Sequence, residues 1–76
     1  MTETEVPSLD EFVDIATLQA SVATTFPTVD SVRWYVRQNR VALVDQGALI
    51  IIAGRMRFNP PRFKLAAVSI GRRAAA

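Results

Sequence analysis

Arginine is the side chain with which this sequence can do chemistry. Arg33, Arg37 and Arg40 recur at intervals of three or four residues, with Trp34 and Gln38 between them and Asp30 and Ser31 just ahead. A guanidinium is a planar fork that pairs with guanine N7 and O6 or clamps a phosphate. Serine and glutamine reach base edges or phosphates, and an indole can lay its ring on a sugar with its N–H toward a phosphate. Arg55 and Arg57 follow in a second, strand-like segment. Together these residues are equipped to recognise a polyanion, with duplex DNA the first expectation.

Other chemistries are harder to assemble. The sequence contains no histidine and no cysteine, which removes the usual general base, the usual metal ligand and any disulfide. Ser8, Ser21 and Ser31 therefore lack a histidine partner, and no serine–lysine spacing is recognisable. No glycine-rich phosphate loop is present. Asp10, Glu11 and Asp14 offer carboxylates to a divalent cation, but an acidic, capped helix start explains them more simply. The expectation is a binding protein, not an enzyme, with no cofactor and no metal.

Charge is unevenly placed along the chain. Up to Asp30 it holds Glu3, Glu5, Asp10, Glu11, Asp14 and Asp30 with no base, a net of −6; beyond it lie all nine bases against Asp45, a net of +8. Such asymmetry points to a polyanionic partner for the basic part. The competing reading is that the two parts neutralise each other within the fold. It also makes head-to-tail self-association on DNA an expectation, with Asp10, Glu11 and Asp14 of one copy meeting the basic surface of the next. No basic start followed by an apolar stretch suggests a signal peptide, and the apolar run Ala48 to Ala53 is far short of the ~20 residues that span a bilayer. A cytoplasmic protein with no membrane partner is expected.

The 76 residues call for one domain, and half of them are apolar, as in a globular chain. Residues 1–7 lack periodicity and are expected to be flexible; the folded domain is expected over 8–71, with a frayed tail over 72–76. Ser8 and Glu11 fit a capping box, followed by a helical turn from about Leu9 to Ile15. Thr17 is the next candidate cap, for a helix Leu18 to Thr25 that the Phe26–Pro27 pair ends. Thr28 caps a second helix, Val29 to about Asn39. The three-residue link between the two suits a helix-turn-helix. Gly47 closes an irregular connection. Ala48 to Ala53 reads as a buried strand, Gly54–Arg55 as a turn, and Met56 to Phe58 as the returning strand of a hairpin. Asn59 and Pro60 start a last helix, with Phe63, Ala67 and Ile70 on one stripe and Gly71 as its stop.

Winding the second helix at ~100° per residue separates its faces. Val29, Val32, Tyr35 and Val36 form the inward stripe. Arg33, Arg37 and Arg40 lie to one side of it, Asp30 beyond them, and Ser31, Trp34 and Gln38 opposite. The alternative reading of this surface is a solvated face, with Trp34 buried as most indoles are. Arg55, at the expected turn, suits a phosphate backbone or a narrow minor groove, or is simply a solubilising charge.

Val32–Arg33, Val36–Arg37 and Arg40–Val41 form the pattern V-R-x-x-V-R-x-x-R-[VI]. Behind it come an apolar strand, Gly54–Arg55, and an aromatic-ending strand leading into a helix. This arrangement resembles the excisionases, or recombination directionality factors, of phages and integrative elements, relatives of the MerR-like winged-helix regulators. The resemblance covers roughly residues 17–70. It implies an α+β, mostly α winged helix-turn-helix with three or four short helices and one two-stranded hairpin. It further implies that Asp30, Ser31, Arg33, Trp34 and Arg37 contact the major groove, with a wing near Arg55 on the adjacent minor groove. Trp34 stands where the lambda-type sequence has arginine, so base preference does not carry over. The role implied is to bind and bend DNA near an attachment site and direct an integrase toward excision. The alternatives are a small regulator of a prophage or mobile element, or a protein-interaction module with a basic surface.

Overall fold

The computed structural model describes residues 9–76; the expected Ser8 cap and the segment 1–7 lie outside the described residues. The described chain is mostly helical, with four α-helices and a two-stranded antiparallel sheet, an α+β arrangement. A 3-10 turn, Leu9–Glu11, is all that forms of the expected early helix.

Helix α1 spans Ile15–Ser21 and starts at Asp14, whose carboxylate accepts the Thr17 backbone N–H at 2.8 Å. The expected start at Thr17 and end at Thr25 are both shifted. A carboxylate in extended backbone is a strong N-cap, and it claims the start a turn earlier. The end is set by tertiary contact. Gln19 Nε2 donates to the Phe26 carbonyl at 2.8 Å and the Phe26 N–H to the Val22 carbonyl at 2.8 Å, bending the chain after Ser21. The bend places the Phe26 ring 4.9 Å from Tyr35 and 6.0 Å from Phe63, both edge-on. Edge-to-face rings each add about 0.5–1.5 kcal/mol beyond burial, more than the helix propensity forgone over Val22 to Thr25. The link to the next helix therefore runs from Val22 to Thr28, longer than expected.

Helix α2, Val29–Gln38, begins as its sequence predicts. Thr28 Oγ1 accepts the Ser31 N–H at 3.1 Å, and Ser31 Oγ accepts the Thr28 N–H at 3.2 Å. Val32 and Val36 are buried. At Asn39 the backbone leaves helical geometry, and the side chain donates back to the Tyr35 carbonyl at 3.0 Å. The chain then re-enters a helix, α3, Arg40–Asp45, where an irregular connection was expected. Leu43 anchors it in the core. Gly47 ends it in a left-handed conformation, φ 73°. The Ala48 N–H reaches the Leu43 carbonyl at 2.9 Å and the Gly47 N–H the Val44 carbonyl at 3.0 Å, a Schellman closure.

Strands β1, Leu49–Ile52, and β2, Arg55–Phe58, pair antiparallel from Leu49↔Phe58 to Ile52↔Arg55. The turn is Ala53–Gly54, with φ 52° and 77°, so Arg55 is the first residue of β2 and not part of the turn. A two-residue link with both φ positive matches the twist of a hairpin. Val13 adds one antiparallel rung to β2, exchanging both backbone bonds with Phe58 at 2.8 Å. Helix α4, Pro60–Ala75, starts at Asn59, whose Oδ1 accepts the Arg62 N–H at 3.1 Å. Gly71 does not stop it, and the expected frayed tail is helical to Ala75. Gly71 lacks the positive φ of a glycine stop. The following arginines and alanines are strong helix formers, and basic groups suit the C-terminal dipole.

The core gathers Leu18, Val32, Val36, Leu43, Ala48, Leu49, Phe58, Phe63 and Ala66 from every helix and both strands. On α4, Ala66 is fully buried, with Ala67 and Ile70 half-buried on its flank. Burying one Phe or Leu contributes roughly 1.5–3 kcal/mol, so Phe58 and Phe63 are the main ties between the hairpin and the helices. Asn59, 2% exposed, is the one polar residue inside among those described. It caps α4, bonds the Ala48 carbonyl through its N–H at 3.0 Å, and donates Nδ2 to Glu11 at 3.4 Å.

Candidate nucleic-acid interface

The cap at Thr28 and the inward anchors Val32 and Val36 fix the rotation of α2. They leave Asp30, Arg33, Trp34, Arg37 and Gln38 on its exposed side. Trp34 is 58% exposed, as the helical winding predicts and against the usual fate of an indole. Arg33 Nη1 lies 3.1 Å from Asp30 Oδ1, an exposed i,i+3 pair at the start of the helix. Such an exposed pair adds little stability. Ser31 is differently placed from its neighbours. Its Oγ accepts from the Thr28 N–H and donates to the Thr28 carbonyl at 2.6 Å, so the hydroxyl belongs to the helix cap.

Arg40 sits on the first turn of α3, not on α2, because Asn39 breaks the helix between them. It nevertheless joins the α2 arginines. Arg33, Arg37 and Arg40 surround a shallow cleft of about 170 Å³ floored by Val36 and Met56. Met56 comes from β2, so this cleft separates α2 from the hairpin. The pleat sends alternate residues of β2 to opposite faces: Met56 and Phe58 face inward, Arg55 and Arg57 the other way. Arg55 is exposed next to the hairpin tip, one residue from the cleft floor. Arg57 is half-buried on the far face. The Asp14 carboxyl is held below its ordinary value chiefly by the Thr17 hydroxyl and backbone N–H, with a smaller contribution from the Arg57 charge.

The structure thus brings Arg33, Arg37 and Arg40 together around the cleft, while Arg55 is exposed on the opposite face of β2 from Met56. Trp34 and Gln38 share the open face of α2, while Arg57 points elsewhere. Sequence reasoning did not include Met56 or Val36 in the site. The alternation of Met56 with Arg57 carried the signal for Met56, but only its place in the cleft beside Val36 shows that it faces α2. Burial raises the Tyr35 phenol, which packs beneath α2 against Phe26 and Phe63. Among the described residues no helix is long and apolar enough to cross a membrane.

No protein-family model matches the chain, and neither a curated protein nor a solved structure is significantly similar to it.

Proposed function

We propose that this chain is a duplex-DNA-binding protein, not an enzyme, of the winged helix-turn-helix kind. In this reading α1 and α2 are the helix pair, α2 enters the major groove, and the hairpin is the wing. The observation that carries it is the convergence of Arg33, Arg37 and Arg40 on the cleft between α2 and the hairpin, with Trp34 exposed on another face of α2. Three guanidiniums on one surface, one of them partly offset by Asp30, concentrate a positive potential that attracts a polyanion. A duplex presents phosphates at the spacing of a helix face and an adjoining loop. The excisionase-like pattern over residues 32–41 supports an architectural role, binding and bending DNA near an attachment site to steer an integrase.

The test is a mobility-shift titration on duplex DNA at several salt concentrations, followed by a bending assay on the fragment bound best. Binding that weakens linearly in log–log against salt is expected, because phosphate contacts release counterions. Salt-independent binding, or none, would overturn the reading. Tight binding without bending would favour a transcriptional regulator on the same scaffold.

A further inference from the structure

The same cleft divides the labour among the α2 residues, and the division rests on the DNA-binding reading above. Arg33, Arg37 and Arg40 do not project from the centre of the exposed helix face. They lean to its hairpin side and rim a floor of Val36 and Met56. Arg40 belongs to a different helix, α3, yet lines the same cleft. Trp34 and Gln38 occupy the face that points away from both the core and the cleft. A groove bounded by guanidiniums with a carbon floor matches a sugar–phosphate strand: oxygens for the arginines and deoxyribose carbons for the Met56 thioether, with the buried Val36 closing the floor beneath. Methionine suits such a floor because its unbranched side chain adapts to an irregular surface. A strand passing between a major-groove helix and a minor-groove wing must cross the gap between them, and here that gap is the cleft.

We infer that one sugar–phosphate strand of the duplex runs through the cleft between α2 and β2, gripped by Arg37 and Arg40 and supported by Met56. Base discrimination then falls to Trp34, Gln38 and Asp30. Arg33, paired with Asp30, stands at the boundary between the two sets. Of the two roles open to Arg37, pairing with guanine or clamping a phosphate, this assigns the second.

The two roles differ in what they do to salt dependence and to sequence preference. A phosphate contact contributes about one unit to the log–log salt slope and acts alike on every sequence, whereas a base contact does the reverse. Binding is measured on a fragment enriched from a random duplex pool and on a scrambled fragment of equal length. Arg37→Ala and Arg40→Ala should each weaken binding about tenfold on both fragments and lower the slope by about one. Gln38→Ala should narrow the gap between the fragments at unchanged slope. Met56→Glu should weaken both fragments alike, and Met56→Leu should retain binding, with circular dichroism checking the fold of each. An Arg37→Ala variant that loses preference at unchanged slope would overturn the assignment, as would an Arg40→Ala variant that binds like the parent. Absence of any duplex binding by the parent protein is a separate outcome, which removes the DNA reading itself.

Discussion

A single carboxylate and a single glycine show how local choices here govern larger ones. Asp14 is exposed, yet it sets where α1 begins, and its bonds to Thr17 favour the ionised form. A carboxyl whose folded pKa is depressed contributes stability that is present above its unfolded value, about 3.9, and is lost as pH falls through the folded value. Asp14→Asn keeps a capping acceptor but cannot titrate. The melting-temperature advantage of the parent over this variant should therefore shrink between pH 6 and pH 2; an advantage constant over that range would show that ionisation of Asp14 is immaterial. Gly47 is a matter of backbone and not of space. A Cβ there would stand 2.6 Å from Arg62 Nη1, but that atom ends a flexible side chain, whereas φ at 73° belongs to the fold. Left-handed backbone costs an L-residue about 1–2 kcal/mol. Gly47→Ala should lower stability by about that amount, some 4–8 °C per kcal/mol for a domain of this size. Adding Arg62→Ala should not restore it; recovery in the double variant would mean that the clash dominates.

At the scale of elements, the hairpin tip is the place where local preference and structure disagree. Ala53 holds φ 52°, a conformation that asparagine or glycine adopts more readily in this turn type. Ala53→Asn should therefore stabilise the protein by roughly 0.5–1 kcal/mol, read as a rise in melting temperature, and a fall would show that the tip is not a relaxed two-residue turn. Arg55, exposed beside it, should behave in the opposite way: Arg55→Ala should leave melting unchanged and weaken duplex binding, while unchanged affinity would detach the hairpin from DNA. What the sequence made legible follows the same division. The Thr28 cap, the inward Val32 and Val36 of α2 and the Asn59–Pro60 start of α4 rest on short-range patterns and fold as read. The hairpin pairs as expected, but its turn is one residue earlier and β1 is not the buried strand expected, with Leu49 inside and Ile51 53% exposed. The end of α1 was not legible because ring packing by Phe26 decides it, at a sequence distance no local pattern spans. α3 was hidden because Asn39 interrupts the periodicity, though Leu43 and Gly47 marked its anchor and its stop. For the site, the exposure of Trp34 was readable from helical winding. The joining of Arg40 and Met56 to the α2 arginines was not, since it depends on how α3 and β2 are docked.

Across the whole molecule the segregation of charge along the chain is kept only in part, since Asp30 pairs with Arg33 and Asp14 feels the charge of Arg57. Asp10, Glu11 and Asp14 are exposed at the start of the described chain. Far along it, the outer face of α4 carries Lys64, Arg72 and Arg73, with Leu65 and Val68 exposed among them at 69% and 61%. Two such surfaces on one chain suit a head-to-tail contact between copies, which does not close on itself and so extends along a track. Exposed ion pairs contribute only about 0–1 kcal/mol each, too little to hold copies together in dilute solution. Neighbouring sites on one DNA fragment raise the effective concentration of each copy for the next, so the same weak contact becomes measurable there. The expected behaviour is a monomer in free solution and cooperative loading on a multi-site fragment, with cooperativity that declines as salt screens the contact. Arg72→Glu with Arg73→Glu should remove the cooperativity while leaving affinity for a single-site fragment within a few-fold of the parent. Sedimentation of the free protein and mobility-shift titrations on one-site and multi-site fragments measure each part. Equal per-site affinity on the two fragments would rule out the contact and leave binding by α2 untouched, because the arginines of the cleft and the cations of α4 lie on separate elements.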